Sequence, residues 1–581
     1  MSEAPVLTTL RERASLQPDD VAFTFTDYDD DWAGVTETIT WVQLYRRVDN
    51  LSRAIAGYGE AGDRAVILAH QSLDYIVAFL GSMLAGYIAV PLSAPYPGSH
   101  DERIGAVIAD TTPAVVLTTS GLVETVGEYL ADSAGAVPTV VAVDEVVDRP
   151  AGAAVRRPLP EVAYLQYTSG STRVPAGVMI SHDNLYTNFR QLMADYFGPM
   201  NGVVPAGTNI VSWLPFYHDM GLVFAVVTPI LGGYPGHLSS PMAFLQRPAR
   251  WIQAMAARPH AWSAAPNFAY ELAAAKTTDD DMAGIDLGGV DGLLSGAERV
   301  HPATLKRFTD RFAKYNFRAE AFRPSYGLAE GTVYAATRTV GGPPRVTHFD
   351  SDKLSEGAAI PVEAPAGVGL ISYGTPRSPE IRIVDPDTLT ESPADVVGEI
   401  WLHGGNVSAG YWHKPDETAA TFGGMLAAAN TTAGTPAGPW LRTGDLGFMF
   451  DGELYIVGRM KDILIIRGRN LYPEDIESTV GEITGGRSAA ISVSVAQDEK
   501  LVVIAEYKKR RSGQAGDAPE VEVIDALKND VTSAISRVYG VTTSDVVLVA
   551  PGSLPITTSG KIRRSACGDL YLAQQFTRVD G

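Results

Sequence analysis

Cysteine is almost absent from this sequence, since Cys567 is the only one among 581 residues. A single cysteine excludes a disulfide within the chain and any metal site that requires several thiolates. Such sparse use of cysteine is typical of reducing compartments. We therefore expect a cytoplasmic protein.

Positive charge is also scarce: 46 lysines and arginines stand against 67 aspartates and glutamates, which gives a net charge of −21. A chain this acidic repels nucleic acid and anionic membrane surfaces. We therefore expect no nucleic acid among its partners.

Long uninterrupted hydrophobic runs are lacking as well. Residues 1–20 contain several charged side chains and no apolar core, so the sequence predicts no secretory signal. The uncharged stretch 75–99 is interrupted by Gly81, Gly86 and three prolines, which favours a buried helix and a strand over a membrane span. No transmembrane segment is predicted.

The apolar pattern of the first 340 residues predicts alternating helices and strands. Thr40 and Gln43 form a capping box, and the apolar residues that follow repeat at helical spacing, which predicts a helix over 41–57. Strands are predicted at 65–68, 114–117, 139–143 and 210–213. This alternation predicts a largely parallel α/β sheet.

The pattern changes after about residue 340 to shorter strands and turns. A smaller β-rich subdomain is predicted here, over about 340–458. Beyond Arg459, two strands, a helix with one apolar face and a further strand predict a compact α+β unit. The predicted fold class is therefore α/β plus α+β.

A hydroxyl-rich loop follows the predicted strand 162–167. Its residues are Thr168, Ser169, Gly170, Ser171 and Thr172. Hydroxyl groups and backbone N–H groups around a glycine can converge on phosphate oxygens, so the loop is a candidate phosphate-binding site. The spacing of a Walker loop is missing, which disfavours P-loop kinases. Taken alone, a loop of this composition is more often an ordinary Ser/Thr turn.

Four further motifs follow this loop along the chain. They are YGLAE at 326–330, RTGD at 442–445, GRMKD at 458–462 and PITTSGKIRR at 555–564. In this order, the five motifs resemble the adenylate-forming superfamily of acyl-CoA synthetases, luciferases and peptide-synthetase adenylation domains. Finer features at 212–222, 263–268 and 323–334 resemble the fatty acyl-AMP ligases that serve polyketide synthases, notably those of mycobacteria.

The resemblance implies an adenylate-forming enzyme with a large N-terminal domain over 1–458, a hinge over 459–463 and a mobile C-terminal lid over 464–581. Lys461 and Asp462 would lie in the hinge. ATP and Mg²⁺ would convert a medium- or long-chain fatty acid into acyl-AMP and pyrophosphate. The acyl group would then pass to the phosphopantetheine of an acyl carrier protein or a polyketide synthase loading domain.

The resemblance also implies a role for each motif. The catalytic candidates are Lys561 at the carboxylate and the α-phosphate, Glu330 at Mg²⁺, and His218 beside the acyl carboxylate. The ATP-binding candidates are Thr168, Ser169, Gly170, Ser171 and Thr172 at the phosphates, Tyr326 and Gly327 at the adenine, Ser295, Gly296, Ala297 and Glu298 at its opposite face, and Asp445 and Arg459 at the ribose. The acyl pocket would be lined by Leu222, Ser263, Ala264, Pro266, Asn267 and Phe268, although a hydrophobic core has the same pattern.

Three departures from the wider superfamily concern the acceptor of the acyl group. Ala176 occupies a position where acyl-CoA synthetases usually have lysine, and Ile465 replaces a lysine that supports thioester formation in several members. The segment of about 351–373 looks like the insertion of fatty acyl-AMP ligases, which impedes the domain rotation that CoA requires. These features favour a carrier protein over CoA.

Two alternatives remain open. An ordinary fatty acyl-CoA synthetase would form acyl-CoA, and a catalytically silent scaffold of the same fold would bind ATP without pyrophosphate exchange. The presence of Lys561, Glu330 and Asp445 argues against the scaffold, because a scaffold has no need of charged catalytic groups.

Overall fold

Helices and strands alternate over the first part of the chain. The computed structural model describes residues 4–95, 101–131, 138–149, 157–168, 175–338, 340–427, 432–466, 469–495, 498–507, 520–557 and 560–579. Up to residue 196, the elements are α1 (Pro5–Leu16), β1 (Val21–Asp27), β2 (Val35–Thr40), α2 (Trp41–Ile55), β3 (Arg64–Ala69), α3 (Leu73–Leu84), β4 (Ile88–Ser93), α4 (Glu102–Thr111), β5 (Val115–Thr118), α5 (Val123–Ala131), β6 (Thr139–Ala142), β7 (Val162–Thr168), β8 (Ala176–Ser181) and α6 (His182–Tyr196).

The helix predicted from the capping box at Thr40 is confirmed as α2. The Thr40 hydroxyl accepts a hydrogen bond from the Gln43 N–H, and the Gln43 side chain accepts one from the Thr40 N–H. Both donors would otherwise be unpaired at the start of the helix. α2 ends at Ile55, two residues before the predicted end, and its apolar face packs against α3.

Six strands, β3 to β8, form the first sheet in the order β6-β5-β3-β4-β7-β8. Every neighbouring pair is parallel except β7 and β8. The central strand β3 is buried along its length after Arg64, as expected when helices cover both faces of a parallel sheet. The predicted α/β alternation is confirmed here.

The second sheet has eight strands and combines β1 and β2 with the strands that follow α6. The elements of this part are β9 (Asn209–Ser212), a π-helical segment (Met220–Val227), α7 (Thr228–Gly232), β10 (Gly236–Ser239), α8 (Pro241–Gln246), α9 (Ala249–Ala256), β11 (Ala261–Ala265), α10 (Asn267–Lys276), β12 (Val290–Ser295), α11 (Pro302–Phe312), β13 (Phe322–Tyr326) and β14 (Ala336–Thr337). The strand order is β14-β13-β12-β11-β9-β10-β1-β2, and only the two outermost pairs are antiparallel.

The next part of the chain consists of short strands in two antiparallel sheets, β16-β15-β17 and β18-β19-β20-β21. Its elements are β15 (Val346–Phe349), α12 (Ser351–Ser355), β16 (Pro361–Val362), β17 (Val368–Ile371), β18 (Glu380–Val384), β19 (Gly398–His403), α13 (Pro415–Phe422), β20 (Leu441–Phe450) and β21 (Glu453–Arg459). The predicted change to short strands is confirmed, whereas the predicted domain boundaries stay a prediction.

The C-terminal part is an α+β unit, as predicted. Its elements are β22 (Leu464–Ile466), β23 (Arg469–Leu471), α14 (Pro473–Thr484), β24 (Ser488–Val495), β25 (Asp498–Glu506), α15 (Glu520–Tyr539), β26 (Thr543–Val549) and α16 (Arg564–Leu572). Two hydrophobic clusters of this part are separate from the large core of the preceding sheets, and one of them contains the buried Cys567. The C-terminal part therefore has hydrophobic cores of its own.

The uncharged stretch at 75–99 begins in α3 and continues into β4, as the sequence predicts. Throughout the described residues, no helix combines the length and the apolar character needed to cross a membrane.

Candidate active site

A cavity of about 2030 Å³ lies where the carboxyl ends of β7, β9, β11, β12 and β13 meet the C-terminal part of the chain. Parallel sheets bind ligands at this edge, because the loops after the strands converge there. The predicted site residues that line it are Thr168, His218, Asn267, Phe268, Gly296, Ala297, Glu298, Tyr326, Gly327, Glu330, Asp445, Arg459, Lys461, Asp462 and Lys561. Ser169, Gly170, Ser171 and Thr172 lie outside the described residues.

One wall of the cavity carries a hydrogen-bonded group of Tyr326, Asp445 and Arg459. The Tyr326 hydroxyl donates to Asp445 Oδ2 at 2.8 Å, and Arg459 Nε donates to Asp445 Oδ1 at 3.1 Å. Asp445 and Arg459 are directly opposite each other in the β20–β21 pair, which explains why residues 14 apart in sequence meet. A carboxylate has about four lone-pair sites, so Asp445 can still accept hydrogen bonds from a ligand.

Lys561 enters the cavity from the loop before α16. Desolvation and the nearby Arg459 lower its pKa, while Glu298, Asp219 and Asp445 act in the opposite direction. The loop is held by the hydrogen bond from Thr557 N–H to the Lys561 carbonyl, at 2.7 Å. The nearby carboxylates therefore offset only part of the lowering of the Lys561 pKa.

Gly560 allows the Lys561 loop to approach the large domain closely. Its φ of 84° lies in the left-handed region, and a Cβ at this position would lie 3.0 Å from the ring of Phe268. Both the backbone conformation and the contact favour glycine.

His218 and Asp219 form a pair at the end of the loop after β9. His218 Nδ1 lies 2.7 Å from Asp219 Oδ1, and the Met220 N–H donates to the same oxygen at 2.7 Å. Burial alone would raise the pKa of Asp219, but His218 and these hydrogen bonds bring it below its ordinary value. Sequence reasoning missed Asp219, although it directly follows His218 in the motif at 212–222.

Glu298 and Ser295 occupy different environments after β12. Glu298 Oε1 accepts a hydrogen bond from the Asn267 N–H at 2.8 Å, and burial raises the pKa of its carboxyl while Lys561 opposes that change. Ser295 is fully buried, does not line the cavity, and its hydroxyl has no hydrogen-bond partner among the described residues.

Glu330 is the carboxylate best placed to hold a divalent cation. Its Oε1 accepts a hydrogen bond from the Tyr411 hydroxyl at 2.8 Å, and burial raises the pKa of its carboxyl. The described part of the chain contains no cluster of three or more histidine, cysteine, aspartate or glutamate side chains that could hold a metal. One carboxylate fits Mg²⁺, which is usually bound through one or two carboxylates together with water and the phosphates of a substrate.

The apolar lining of the cavity differs from the predicted acyl pocket. Phe268 and Asn267 line the cavity, whereas Leu222, Ser263, Ala264 and Pro266 do not. The Ser263 hydroxyl is engaged inside the sheet, where it accepts from Trp251 Nε1 at 2.8 Å and donates to a main-chain carbonyl. The apolar wall is formed instead by Leu192, Tyr196, Met220, Phe224, Leu245, Leu272, Leu294, Val333 and Tyr334. These residues come from distant parts of the chain and do not belong to any one sequence motif.

The two predicted hinge residues also take part in the site. Lys461 lines the cavity, and desolvation together with Arg459 lowers its pKa. Asp462 forms an ion pair with Arg564 at 2.9 Å, and Arg564 also pairs with Glu474 and Glu477. The segment after β21 is thereby linked to the loop that carries Lys561.

Three further contacts join the C-terminal part to the rest of the chain. Arg299 forms a buried ion pair with Asp475 of α14, and its other nitrogen donates to the Val457 carbonyl at 2.9 Å. Asp352, in the segment 351–373, pairs with Arg469. Val368 of the same segment packs against the hydrophobic cluster of the C-terminal part.

Comparisons with known proteins agree with this geometry. A family model described as AMP-binding enzyme matches residues 10–412. The Mycobacterium leprae protein named fatty-acid–CoA ligase FadD21 is 61% identical over 584 residues, which cover 100% of both chains. The Mycobacterium bovis protein named long-chain-fatty-acid–AMP ligase FadD28 is 55% identical over 575 residues, which cover 98% of each chain.

A solved structure shows the same architecture. It is that of a fatty acyl-adenylate ligase from Legionella pneumophila in complex with acyl adenylate and pyrophosphate. The two chains are 31% identical, with a TM-score of 0.72 over 98% of this chain and 96% of the other.

Proposed function

The chain belongs to the family of AMP-binding enzymes, and on that premise we propose that it joins a medium- or long-chain fatty acid to AMP. ATP is the substrate that supplies the AMP, and pyrophosphate is released. The resemblance to fatty acyl-AMP ligases is confirmed by the relatives and by the Legionella structure. The same comparisons confirm the predicted adenylate-forming fold.

The observation that carries this proposal is the composition of the single cavity in which the motifs meet. It combines Lys561, the Tyr326–Asp445–Arg459 group and Glu330 with an apolar wall. A nucleotide needs the charged and hydrogen-bonding residues, and an acyl chain needs the apolar wall. The cavity therefore suits a reaction that joins the two.

The reaction requires two anions to approach each other. A carboxylate oxygen of the fatty acid attacks the α-phosphorus of ATP, and the bond from that phosphorus to the bridging oxygen breaks, so that pyrophosphate leaves with the oxygen. Positive charge and in-line positioning supply most of the rate enhancement in such transfers. Lys561 would neutralise the carboxylate and the α-phosphate, with Arg459 and Lys461 as further cations of the same cavity.

Glu330 would hold Mg²⁺ in this arrangement, with the Tyr411 hydroxyl fixing the orientation of its carboxylate. When bound, Mg²⁺ would supply positive charge that neutralises part of the charge of the phosphates. Asp445 would accept the ribose hydroxyls, and Tyr326 would pack against the adenine. The loop 168–172 would bind the remaining phosphates.

The second half of the proposal concerns the acceptor. We propose that the acyl group passes to the phosphopantetheine thiol of an acyl carrier protein or polyketide synthase, where sulfur attacks the acyl carbonyl and AMP leaves. Ile465 is exposed and apolar, and so cannot provide the charge of the lysine found there in other superfamily members. The contacts of 351–373 with the C-terminal part also support a restricted rotation.

A fatty acyl-CoA ligase is the second candidate, and the name of the Mycobacterium leprae relative favours it. The two candidates share the adenylation step and differ only in the thiol that receives the acyl group. They are therefore separated by the product formed when CoA is present.

Adenylation itself is tested by exchange of radiolabelled pyrophosphate into ATP. We expect exchange that depends on an added fatty acid and falls about 10²–10³-fold in Lys561→Ala, because a charge that stabilises the transition state is lost. Lys306→Ala is the matched control, since Lys306 is an exposed lysine whose one ion pair among the described residues is with Asp310. Equal exchange by wild type and Lys561→Ala would contradict the proposed role. ATP binding without any exchange would instead favour the scaffold.

A further inference from the structure

The apolar wall of the cavity includes two buried tyrosines that face each other. Tyr196 ends α6 and Tyr334 precedes β14, and each ring is 3% exposed. The ring centroids are 5.6 Å apart, at an interplanar angle of 54°. Leu192, one helical turn before Tyr196, and Val333 line the same region. Together these four residues form what we call the acyl arm of the cavity.

The hydroxyl groups of both tyrosines form hydrogen bonds with side chains behind the rings. Tyr196 Oη lies 2.7 Å from Ser325 Oγ, which lies 3.4 Å from Thr337 Oγ1. The Tyr334 hydroxyl donates to Asp195 Oδ2 at 2.5 Å. Buried hydroxyl groups require hydrogen-bond partners. These hydrogen bonds hold each ring in one orientation, and a ligand in the acyl arm does not have to break them.

A second cavity of about 230 Å³ lies on the far side of this layer. It is lined by Asp195 and Thr337, which are the partners of the tyrosine layer, and by Arg338 and Arg377. The two tyrosines line the first cavity only. The layer of tyrosines and their hydrogen-bond partners is therefore the partition between the two cavities.

This partition closes one direction in which an acyl chain can extend. The lining along α10 and α11 is mixed, because the charged Glu271, Lys276 and Arg307 stand there beside Phe268 and Leu272. An alkyl chain gains less by burial among charged groups than in a wholly apolar region. Each buried methylene contributes about 0.8 kcal/mol, so the chain favours the apolar region. The chain end then meets the faces of Tyr196 and Tyr334.

We propose that Tyr196 and Tyr334 form the floor of the acyl arm and set the longest fatty acid that the enzyme adenylates efficiently. This inference rests on the proposed adenylation of fatty acids and adds the residues that determine chain length. Removal of the Tyr196 ring would free the space that the ring occupies inside the arm and let a chain longer by a few methylenes enter.

The test is kcat/KM for acyl-AMP formation with saturated acids from octanoate to eicosanoate. We expect Tyr196→Ala to move the longest efficient acid to greater length. Beyond the wild-type limit, the ratio of variant to wild-type kcat/KM should rise about four-fold per methylene, the rate equivalent of about 0.8 kcal/mol. Tyr196→Phe is the matched control, because it keeps the ring and loses only the hydroxyl, and should keep the wild-type length limit.

A folded Tyr196→Ala variant with the wild-type length limit would overturn the inference. If thermal melting shows that Tyr196→Ala does not fold, Val333→Phe provides the test instead, because the larger side chain adds volume inside the acyl arm. Val333→Phe should shorten the longest efficient acid, and an unchanged limit would again overturn the inference. Failure of the wild type to form acyl-AMP from any acid would instead contradict the proposed function, and the inference with it.

Discussion

At the scale of single residues, Lys561 lies among charges of both signs. Desolvation and Arg459 favour its neutral form, whereas Glu298, Asp219 and Asp445 favour its ammonium form. Among the described residues, no carboxylate forms an ion pair with Lys561. In the proposed reaction, its ammonium group would therefore not have to leave such a partner in order to contact the two anionic reactants.

The pKa of Lys561 predicts how activity depends on pH. The pKa is lowered from an ordinary value of 10.5, and only the protonated amine can neutralise the reactants. We therefore expect kcat/KM for adenylation to fall as the pH rises through this lowered pKa, at a pH below 10.5. The measurement is the pH profile of kcat/KM for the wild type and for Lys561→Arg.

Lys561→Arg distinguishes deprotonation of Lys561 from other causes of a fall in kcat/KM at alkaline pH. A guanidinium group stays protonated throughout the range, so the alkaline decline should move to higher pH even if the variant is slower. If both proteins lose activity at the same pH, a group other than Lys561 controls the decline.

The sequence predicts the polar half of the site better than the apolar half. Lys561, Glu330 and Asp445 could be predicted because each belongs to one of the motifs that, taken in order, resemble the adenylate-forming superfamily. Leu192, Leu294 and Tyr334 could not, because an apolar residue that lines a cavity has the same sequence character as one in a core. Lys461 was predicted only as a hinge residue, since its position in the cavity depends on how the C-terminal part docks.

At the scale of elements, α14 carries a buried ion pair between the C-terminal part and the segment that follows β12. Asp475 on its first turn pairs with Arg299, and both side chains are 7% exposed. Glu474 and Glu477 on the same helix hold Arg564, three residues after Lys561. α14 thus connects the docking contact with the loop of Lys561.

We expect Asp475→Ala to weaken this docking. Removing one partner of a buried ion pair costs about 3–5 kcal/mol, because the remaining charge is left without compensation. The expected results are faster hydrogen exchange of α14 and a lower kcat/KM for adenylation. Asp310→Ala, which removes an exposed ion pair with Lys306, is the matched control and should change neither quantity, since such pairs contribute at most about 1 kcal/mol. Identical exchange in the two variants would contradict a docking role for Asp475.

Single elements could be predicted more reliably than their arrangement. α2 and the strands at 65–68 and 210–213 follow from capping, periodicity and apolar runs, which act within a few residues of each other. The order of the eight-stranded sheet could not be predicted, because β1 pairs with β10 more than 200 residues later along the chain. Such pairing depends on the packing of the whole domain.

At the scale of the whole molecule, the cavity is complete only because distant parts of the chain meet. Thr168, Glu330, Asp445 and Lys561 span most of the sequence and line one volume. Asp352 and Val368 contact the C-terminal part in the arrangement that places Lys561 there. Under the proposed function, a rotation of the C-terminal part would have to break these contacts.

The most direct measurement is an end-point assay with ATP, Mg²⁺ and radiolabelled dodecanoate, with and without CoA, in which acyl-AMP and acyl-CoA are separated. We predict that acyl-AMP forms in both reactions and persists when CoA is present. Efficient conversion to acyl-CoA would contradict the carrier-protein proposal and would show that Ile465 and the 351–373 contacts do not prevent the second step. Absence of acyl-AMP with every chain length would contradict adenylation itself.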